Sequence, residues 1–302
     1  MIDKFVKFKF EKDGDLYLTK YTNNSTLKVA EFYKDKPFPD YKNGETKQSL
    51  LEIGDKNLVS KYIKNFIGYN KNILEVGSGT SQLSLYLAIG NNNNIYALDP
   101  TYNSLKIGSE FAKNNKIKNI KFVQGDIFDD IFYENKFDFV WCSGVLHHTE
   151  NPELAFKILC RYLKKDGYLL LGLYNKYGRK ILELRRYLSK IFGEKIIDLI
   201  DPVAKKLKKN HQKRKYDSWI NDQYFHPIES THTFKEILKW FDTNNIEFIS
   251  SIPSTDYLNN YDNLIEKKSR PDDLNSIFLQ INMNFNEFGE EGGLFMFIGR
   301  KK

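Results

Sequence analysis

The chain is poor in cysteine. Cys142 and Cys160 are the only two in 302 residues. That is too few for a disulfide framework or a cysteine-based zinc site, and it suits a reducing compartment. Long hydrophobic runs are also missing. The longest uncharged apolar stretch, around Tyr168 to Tyr174, is about eight residues, against the ~20 that a membrane span needs. The first residues, Met1-Ile2-Asp3-Lys4-Phe5-Val6-Lys7, alternate charge with apolar side chains and hold no signal-peptide core, so the expected location is cytoplasmic. Acid is missing from one place: residues 205–215 carry Lys205, Lys206, Lys208, Lys209, Lys213, Arg214 and Lys215 with no Asp or Glu among them. Without these seven groups the formal charge of +7 falls to zero, so the positive excess is local. What is present is a chain 41% hydrophobic and 15% aromatic, enough for a sizeable core.

The residues before 72 do not read as a regular repeat. Phe5-Val6-Lys7-Phe8-Lys9-Phe10 and Leu16-Tyr17-Leu18-Thr19 alternate around Asp13-Gly14, which predicts a β-hairpin. The aromatic, proline-punctuated residues 32–41 read as a loop, and residues 49–67 carry apolar positions at helical spacing. From residue 72 the pattern becomes a strand–helix alternation. Strands are predicted at residues 73–76, 95–98, 120–123, 137–142 and 168–173, with helices between them. Such alternation predicts βαβ units and a parallel sheet. After Tyr174 a basic, aromatic, mostly helical stretch follows. Then come a capping box at Thr233-x-x-Glu236, a sixth strand at 246–249 and a seventh at 293–299. Residues 255–290 are polar and read as irregular.

Glu75-Val76-Gly77-Ser78-Gly79-Thr80-Ser81 joins the first of these strands to a helix. Glycines there let the backbone turn sharply and approach a ligand at a helix N-terminus, although a bare tight turn has the same signature. A dinucleotide fingerprint needs a third glycine, and Gln82 stands in its place, which disfavours an NAD-dependent oxidoreductase. Asp99 ends the second strand and Asp126 the third. Carboxylates at those ends can accept from ribose hydroxyls and from an adenine amine, with Ile127 against the ring. Each alone is more often a solvated cap, but the three features share the sheet edge where open α/β folds bind ligands.

At these residues the chain resembles the class I S-adenosylmethionine-dependent methyltransferases. The matching pieces are Ile73-Leu74-Glu75-Val76-Gly77-Ser78-Gly79-Thr80, Ala97-Leu98-Asp99, Gly125-Asp126-Ile127-Phe128, Phe137-Asp138-Phe139-Val140, Leu146-His147-His148 and Leu163-Lys164-x-x-Gly167-Tyr168. The resemblance implies an α/β, Rossmann-like, seven-stranded and mostly parallel sheet of order 3-2-1-4-5-7-6, with helices on both faces. It implies S-adenosyl-L-methionine as cofactor and S-adenosyl-L-homocysteine as product. By that likeness Glu75, Gly77 and Gly79 shape the methionine pocket, Asp99 holds the ribose and Asp126 the adenine. Ser78, Gln82, Pro100, Ile127 and Ser143 complete the cofactor contacts. One departure is Ser81, where many members carry another glycine. A subgroup of bacterial members is also similar through Phe38-Pro39-x-Tyr41, Gly172-Leu173-Tyr174-Asn175-x-Tyr177-Gly178-Arg179, Asp222-Gln223-Tyr224-x-His226-Pro227 and Glu291-Gly292-Gly293. The expected organisation is a cap or lid over residues 1–70 and a methyltransferase domain over 71–302. That domain holds a helical insert at about 176–232 and a long connection at about 255–290.

Methyl transfer from a sulfonium needs alignment and exclusion of water, and a base only if the acceptor must lose a proton. His147 and His148 follow the fourth strand, where a histidine suits general-base work; capping the next helix is the plainer role. His226 is the third candidate. The residues after the fourth strand, Trp141-Cys142-Ser143-Gly144, match neither the Asn/Asp-Pro-Pro-aromatic loop of amine methylation nor the Pro-Cys of cytosine enzymes. Both cysteines read as core. His226, Glu229 and His232 can in principle ligate a metal, but Pro227 interrupts the stretch and no metal is expected. Tyr224 and His226 read better as a wall over the cofactor, joined by Tyr174, Asn175, Tyr177 and Arg179, with Tyr41 on the lid. The basic run reads first as a solvated helix face, ahead of a phosphate-binding surface or a membrane contact. A small-molecule acceptor is therefore expected. A tRNA methyltransferase using residues 205–215 and a non-catalytic S-adenosylmethionine-binding regulatory protein are the rivals. The oligomeric state stays open.

Overall fold

A computed structural model describes residues 2–34, 37–39, 45–256, 263–285 and 293–302. Its frame is one sheet. The strands are β1 (Glu11–Asp13), β2 (Leu16–Leu18), β3 (Asn72–Val76), β4 (Asn94–Asp99), β5 (Ile120–Gln124), β6 (Phe137–Ser143), β7 (Leu163–Tyr174), β8 (Ile246–Ile252) and β9 (Leu294–Lys301). They lie in the order β1-β2-β5-β4-β3-β6-β7-β9-β8. From β5 onward this is the expected seven-strand arrangement. β3 to β7 are parallel, and β9 runs antiparallel between β7 and β8. The inner strands are apolar without alternation because helices cover both faces. Leu74, Ala97, Val123, Val140 and Leu170 are all buried.

Nine strands stand where seven were expected, because the hairpin β1–β2 extends the sheet, with β2 parallel to β5. The hairpin is shorter and later in sequence than the alternation suggested. Residues 5–10 form no strand; Val6 makes a single bridge to Phe132. The Phe5 ring instead packs 4.5 Å from Tyr96 and 5.8 Å from Phe137. Those aromatics seal the core rather than pair a strand.

Helices α1 (Asn24–Lys34), α2 (Lys47–Lys56) and α3 (Leu58–Ile67) precede the sheet core. Phe32 and Tyr33, read as loop, are the last turn of α1. The stretch 49–67 is two helices because Asn57 ends α2 and caps α3, its side chain accepting from Ser60 N at 2.9 Å. The crossovers are α4 (Gln82–Ala88), α5 (Tyr102–Asn114) and α6 (Pro152–Tyr162). The insert after β7 is α7 (Lys180–Phe192), α8 (Ile197–Ile200), α9 (Pro202–Lys209), α10 (Lys213–Ile220) and a π-helical turn Asn221–Phe225. The Thr233–Glu236 capping box opens α11 (Phe234–Thr243). The connection read as irregular contains α12 (Asp273–Asn282), whose cap Asp272 accepts from Asn275 N at 2.8 Å.

Candidate active site

The chain leaves β3 through Gly77 and Gly79, both in the left-handed region at φ +69° and +51°. A side chain at either position would collide: a Cβ at Gly77 would lie 2.2 Å from Val145, and one at Gly79 would lie 2.0 Å from the Phe38 carbonyl oxygen. At Gly79 the close approach for which the sequence calls glycine is thus made by the protein's own N-terminal segment, and at Gly77 by the turn after β6. Thr80 fastens the N-terminal segment, its N–H donating to Phe38 O at 3.2 Å and its hydroxyl to Pro39 O at 2.5 Å. Ser78 and Ser81 join their hydroxyls at 3.2 Å, and Gln82 opens α4.

Three carboxyl groups end the adjoining strands. Asp99 is buried, with Oδ2 accepting from Gly79 N at 2.7 Å and Oδ1 from Thr101 N at 2.8 Å. Burial raises its pKa against the pull of those two N–H groups. Asp126 accepts from Phe128 N at 3.0 Å and from the Thr26 hydroxyl of α1 at 2.6 Å, with Ile127 buried beside it. The Pro100 carbonyl accepts from Tyr21 at 2.7 Å. Ser143, at the end of β6, lies against Gly172. Glu75 is enclosed and accepts from the Ser84 hydroxyl. Burial pushes its carboxyl up to about 8, and the nearby Asp99 charge adds to the rise. These groups fit an adenosine-bearing cation. A carboxylate has about four acceptor sites, and each oxygen of Asp99 and of Asp126 has one occupied by the bonds above, which leaves acceptors for a diol and an amine on neighbouring strands.

Beyond the carboxylates, the ends of β6 and β7 meet the insert in a histidine cluster. His147 is fully buried and stacks on Tyr174 at 3.8 Å. The Tyr174 N–H points at its Nδ1 at 3.3 Å, so Nδ1 accepts and Nε2 carries the hydrogen. His148 stacks on His226 at 3.5 Å. Both present Nδ1 to one carbonyl, Ile228 O, each at 2.7 Å. A carbonyl only accepts, and it lies closer to His226 Nδ1 than the Ile228 N–H does at 3.3 Å, so both rings are assigned the hydrogen on Nδ1 and a lone pair on Nε2. His226 Nε2 is buried with no partner among the described residues, as is His147 Nε2. Burial lowers all three pKa values, opposed at His148 and His226 by the Asp222 charge; His226 falls to about 4.

A polar frame holds this cluster. The buried Arg179 guanidinium lies 3.6 Å over the Tyr174 ring and donates to Glu229 and, at 2.5 Å, to Gln223 Oε1. Arg186 of α7 grips the same Glu229 at 3.0 and 2.8 Å. Burial pushes Glu229 up, but the two arginines more than offset it and hold the carboxyl below its usual range. Asp222 accepts from Tyr33 of α1 at 2.8 Å and from Tyr174 at 3.3 Å, and Phe32 meets the His226 ring at 5.0 Å.

Of the residues expected to line one cavity, the structure brings together His147, His148, Tyr174, Arg179 and His226. It does not bring Asn175 or Tyr224 to them. Asn175 is locked to α12, donating to Gln280 O at 2.7 Å and accepting from Gln280 Nε2 at 2.8 Å. Tyr224 turns into the insert and donates to Asp201 at 2.8 Å. Tyr177 caps the turn through its N–H on Asn175 Oδ1 at 3.0 Å. Tyr41 lies outside the described residues. His226, Glu229 and His232 do not converge either: Glu229 sits between arginines, and His232 pairs with Glu236 at 3.0 Å. Sequence reasoning missed Tyr33, Arg186 and the partnering of Gln223. Only the aromatic pair Phe32-Tyr33 carried a signal, and it was obscured by the prolines that follow.

Glu75 offers a test on stability. Its pKa rises on folding from the ordinary 4.5 to about 8, so the unfolded chain releases this proton first and stability drains away as pH rises from ~5 to ~8. Glu75→Gln keeps the acceptor for Ser84 without the charge. Without cofactor, its thermal stability should match the parent near pH 5 and exceed it increasingly up to pH 8, by on the order of a few kcal/mol. A pH-independent difference would count against a buried, neutral Glu75.

A family model described as a methyltransferase domain matches residues 67–196. An uncharacterised protein of Synechococcus sp. is 26% identical over 59% of this chain and 47% of its own length. The demethylmenaquinone methyltransferase of Staphylococcus carnosus is 36% identical over 31% of this chain and 39% of its own. The chain thus matches less than half the length of these curated relatives. Among solved structures, geranyl diphosphate C-methyltransferase from Streptomyces coelicolor superposes with a TM-score of 0.53 at 12% identity, covering 94% of this chain and 100% of its own; that likeness is one of fold. With the strand order, the glycine turn and the carboxylates at successive strand ends, residues 67–196 form a methyltransferase domain of the class I, S-adenosylmethionine-dependent kind.

Proposed function

We propose that the chain transfers a methyl group from S-adenosylmethionine to a small-molecule acceptor that meets the His148–His226 pair. The observation that carries this reading is His226 Nε2, a buried lone pair without a partner among the described residues, beside the strand ends that fit the cofactor. Bound S-adenosylmethionine supplies a methyl on a sulfonium leaving group, and the chemistry of that bond is the cofactor's. The chain supplies the rest. Asp99 and Asp126 hold the polar edges of the nucleoside, and Glu75 lies beneath the glycine turn. His226 Nε2 takes a proton from the acceptor, and the Ile228 carbonyl keeps its other nitrogen protonated and its ring fixed. Asp222 then faces the cation that forms. Phe32 and Tyr33 close over the pair and exclude water. The relative named for demethylmenaquinone supports a small-molecule acceptor.

Calorimetry should find binding of S-adenosylmethionine or S-adenosylhomocysteine and none of NAD. Asp99→Ala should weaken that binding by ~1–3 kcal/mol through loss of charge-assisted hydrogen bonds. Unchanged affinity would remove Asp99 from the site. Incubation of cell extract with isotopically labelled cofactor and mass spectrometry would identify the acceptor.

With that acceptor, His226→Asn should lower kcat by ~10²–10⁴ with cofactor affinity unchanged. A protonated His226 cannot accept a proton, so the parent rate should be level above pH ~5 and fall as pH drops toward the value of about 4. A variant as fast as the parent would show that the acceptor needs no base.

A further inference from the structure

We propose that the outward face of α7, with the lysines that follow it on α9 and α10, docks on an anionic lipid surface. Helix α7 is inverted relative to an ordinary surface helix. Ile181, Leu184, Tyr187 and Ile191 recur three or four residues apart and therefore share one face, and all are exposed, as is Phe192. Leu184, Tyr187 and Phe192 are 58%, 62% and 66% exposed. The opposite face sends Leu182 and Arg186 inward, Arg186 onto Glu229 and, at 2.6 Å, onto the Gln223 carbonyl. That ion pair fixes the rotation of the helix, so the apolar stripe cannot turn into the core. Leu199 of α8, the next α-helix of the insert, is also exposed, at 73%.

Charge selects the occupant. The next elements expose Lys205, Lys206 and Lys209 on α9 and Lys213 and Lys215 on α10. Two of the acids nearby are already engaged: Glu183 takes Lys180 at 2.7 Å, and Asp198 takes Lys208 and Tyr216. A second copy meeting this face about a two-fold axis would set the cationic patch against itself. An anionic bilayer accepts both parts, the apolar side chains at the acyl boundary and the lysines among the headgroups. No helix among the described residues is long and apolar enough to cross a membrane, so the contact lies on the surface. The inference does not rest on the proposed acceptor chemistry.

The test is co-sedimentation of the whole chain with vesicles of phosphatidylcholine alone and of phosphatidylcholine mixed with phosphatidylglycerol. Binding is expected to the mixed vesicles, falling with salt. The triple variant Leu184→Ser, Ile191→Ser, Phe192→Ser should lose at least ~tenfold in the vesicle partition coefficient while its circular dichroism melt stays that of the parent. Replacing Lys205, Lys206 and Lys209 with Gln should remove the preference for the anionic lipid. As a second measurement, a spin label on Leu184→Cys should become shielded from a water-soluble relaxant when mixed vesicles are added; Cys142 and Cys160 are buried and will not compete. Absence of binding to either vesicle overturns the proposal. So does binding that the apolar substitutions leave intact and that RNA matches, which would mark a plain polyanion surface. A concentration-dependent dimer that the triple variant dissolves, without vesicle binding, would assign the face to a second copy.

Discussion

The Glu229 carboxylate is the joint on which the histidine cluster of this molecule depends. Arg179 reaches it from the turn after β7, Arg186 from the second turn of α7, and Glu229 itself from the segment where the insert returns to the sheet. All three are shielded, Arg179 completely. Removing one member of such a buried group leaves an uncompensated charge, a cost of ~3–5 kcal/mol. The neighbouring residue is Ile228, whose carbonyl receives both His148 and His226. The ion pair therefore sets where that carbonyl lies, and the carbonyl sets which nitrogen of each ring is bare. The same pair fixes the rotation of α7 and leaves its apolar side outward.

The strand ends that fit the cofactor are built on another constraint. The carboxylates at the ends of β4 and β5 are acceptors only, and the protein supplies each with one local N–H donor. The donor that Asp126 takes from farther away is Thr26, on α1. Helix α1 also carries Tyr33 to Asp222 and Phe32 to His226, and the segment after it carries Phe38 onto the glycine turn. One N-terminal stretch thus touches both the carboxylates at the strand ends and the histidine cluster. The turn that would cradle a ligand is narrow enough that glycine is needed for the protein's own contact.

The central sheet was legible in the sequence because its strands are mostly apolar runs, three of them followed by Gly77, Asp99 and Asp126, and those residues carry geometry as well as chemistry. His147 and His148 were legible as a pair after β6. Their tautomers were not, since they depend on Tyr174 and on Ile228, which is 80 residues beyond His148. Asn175 reads as a cavity residue next to Tyr174, but its amide is consumed by Gln280, 105 residues away. Helix α1 was hidden by Asn24-Ser25-Thr26, weak helix formers that cap as readily as they propagate. Helix α7 misleads in the opposite way: its apolar period is clear, and the usual rule would turn that stripe inward and Arg186 out. Only the Glu229 contact, a tertiary fact, reverses it.

The proposed chemistry depends on the protonation of three histidines, which nitrogen-15 NMR of histidine-labelled protein reads directly through long-range couplings to the ring protons. At pH 7, His148 and His226 should be neutral with the hydrogen on Nδ1, and His147 neutral with the hydrogen on Nε2. A His226 that is an imidazolium at that pH, or that carries its hydrogen on Nε2, would have no lone pair at Nε2 to offer an acceptor and would contradict base catalysis by this residue.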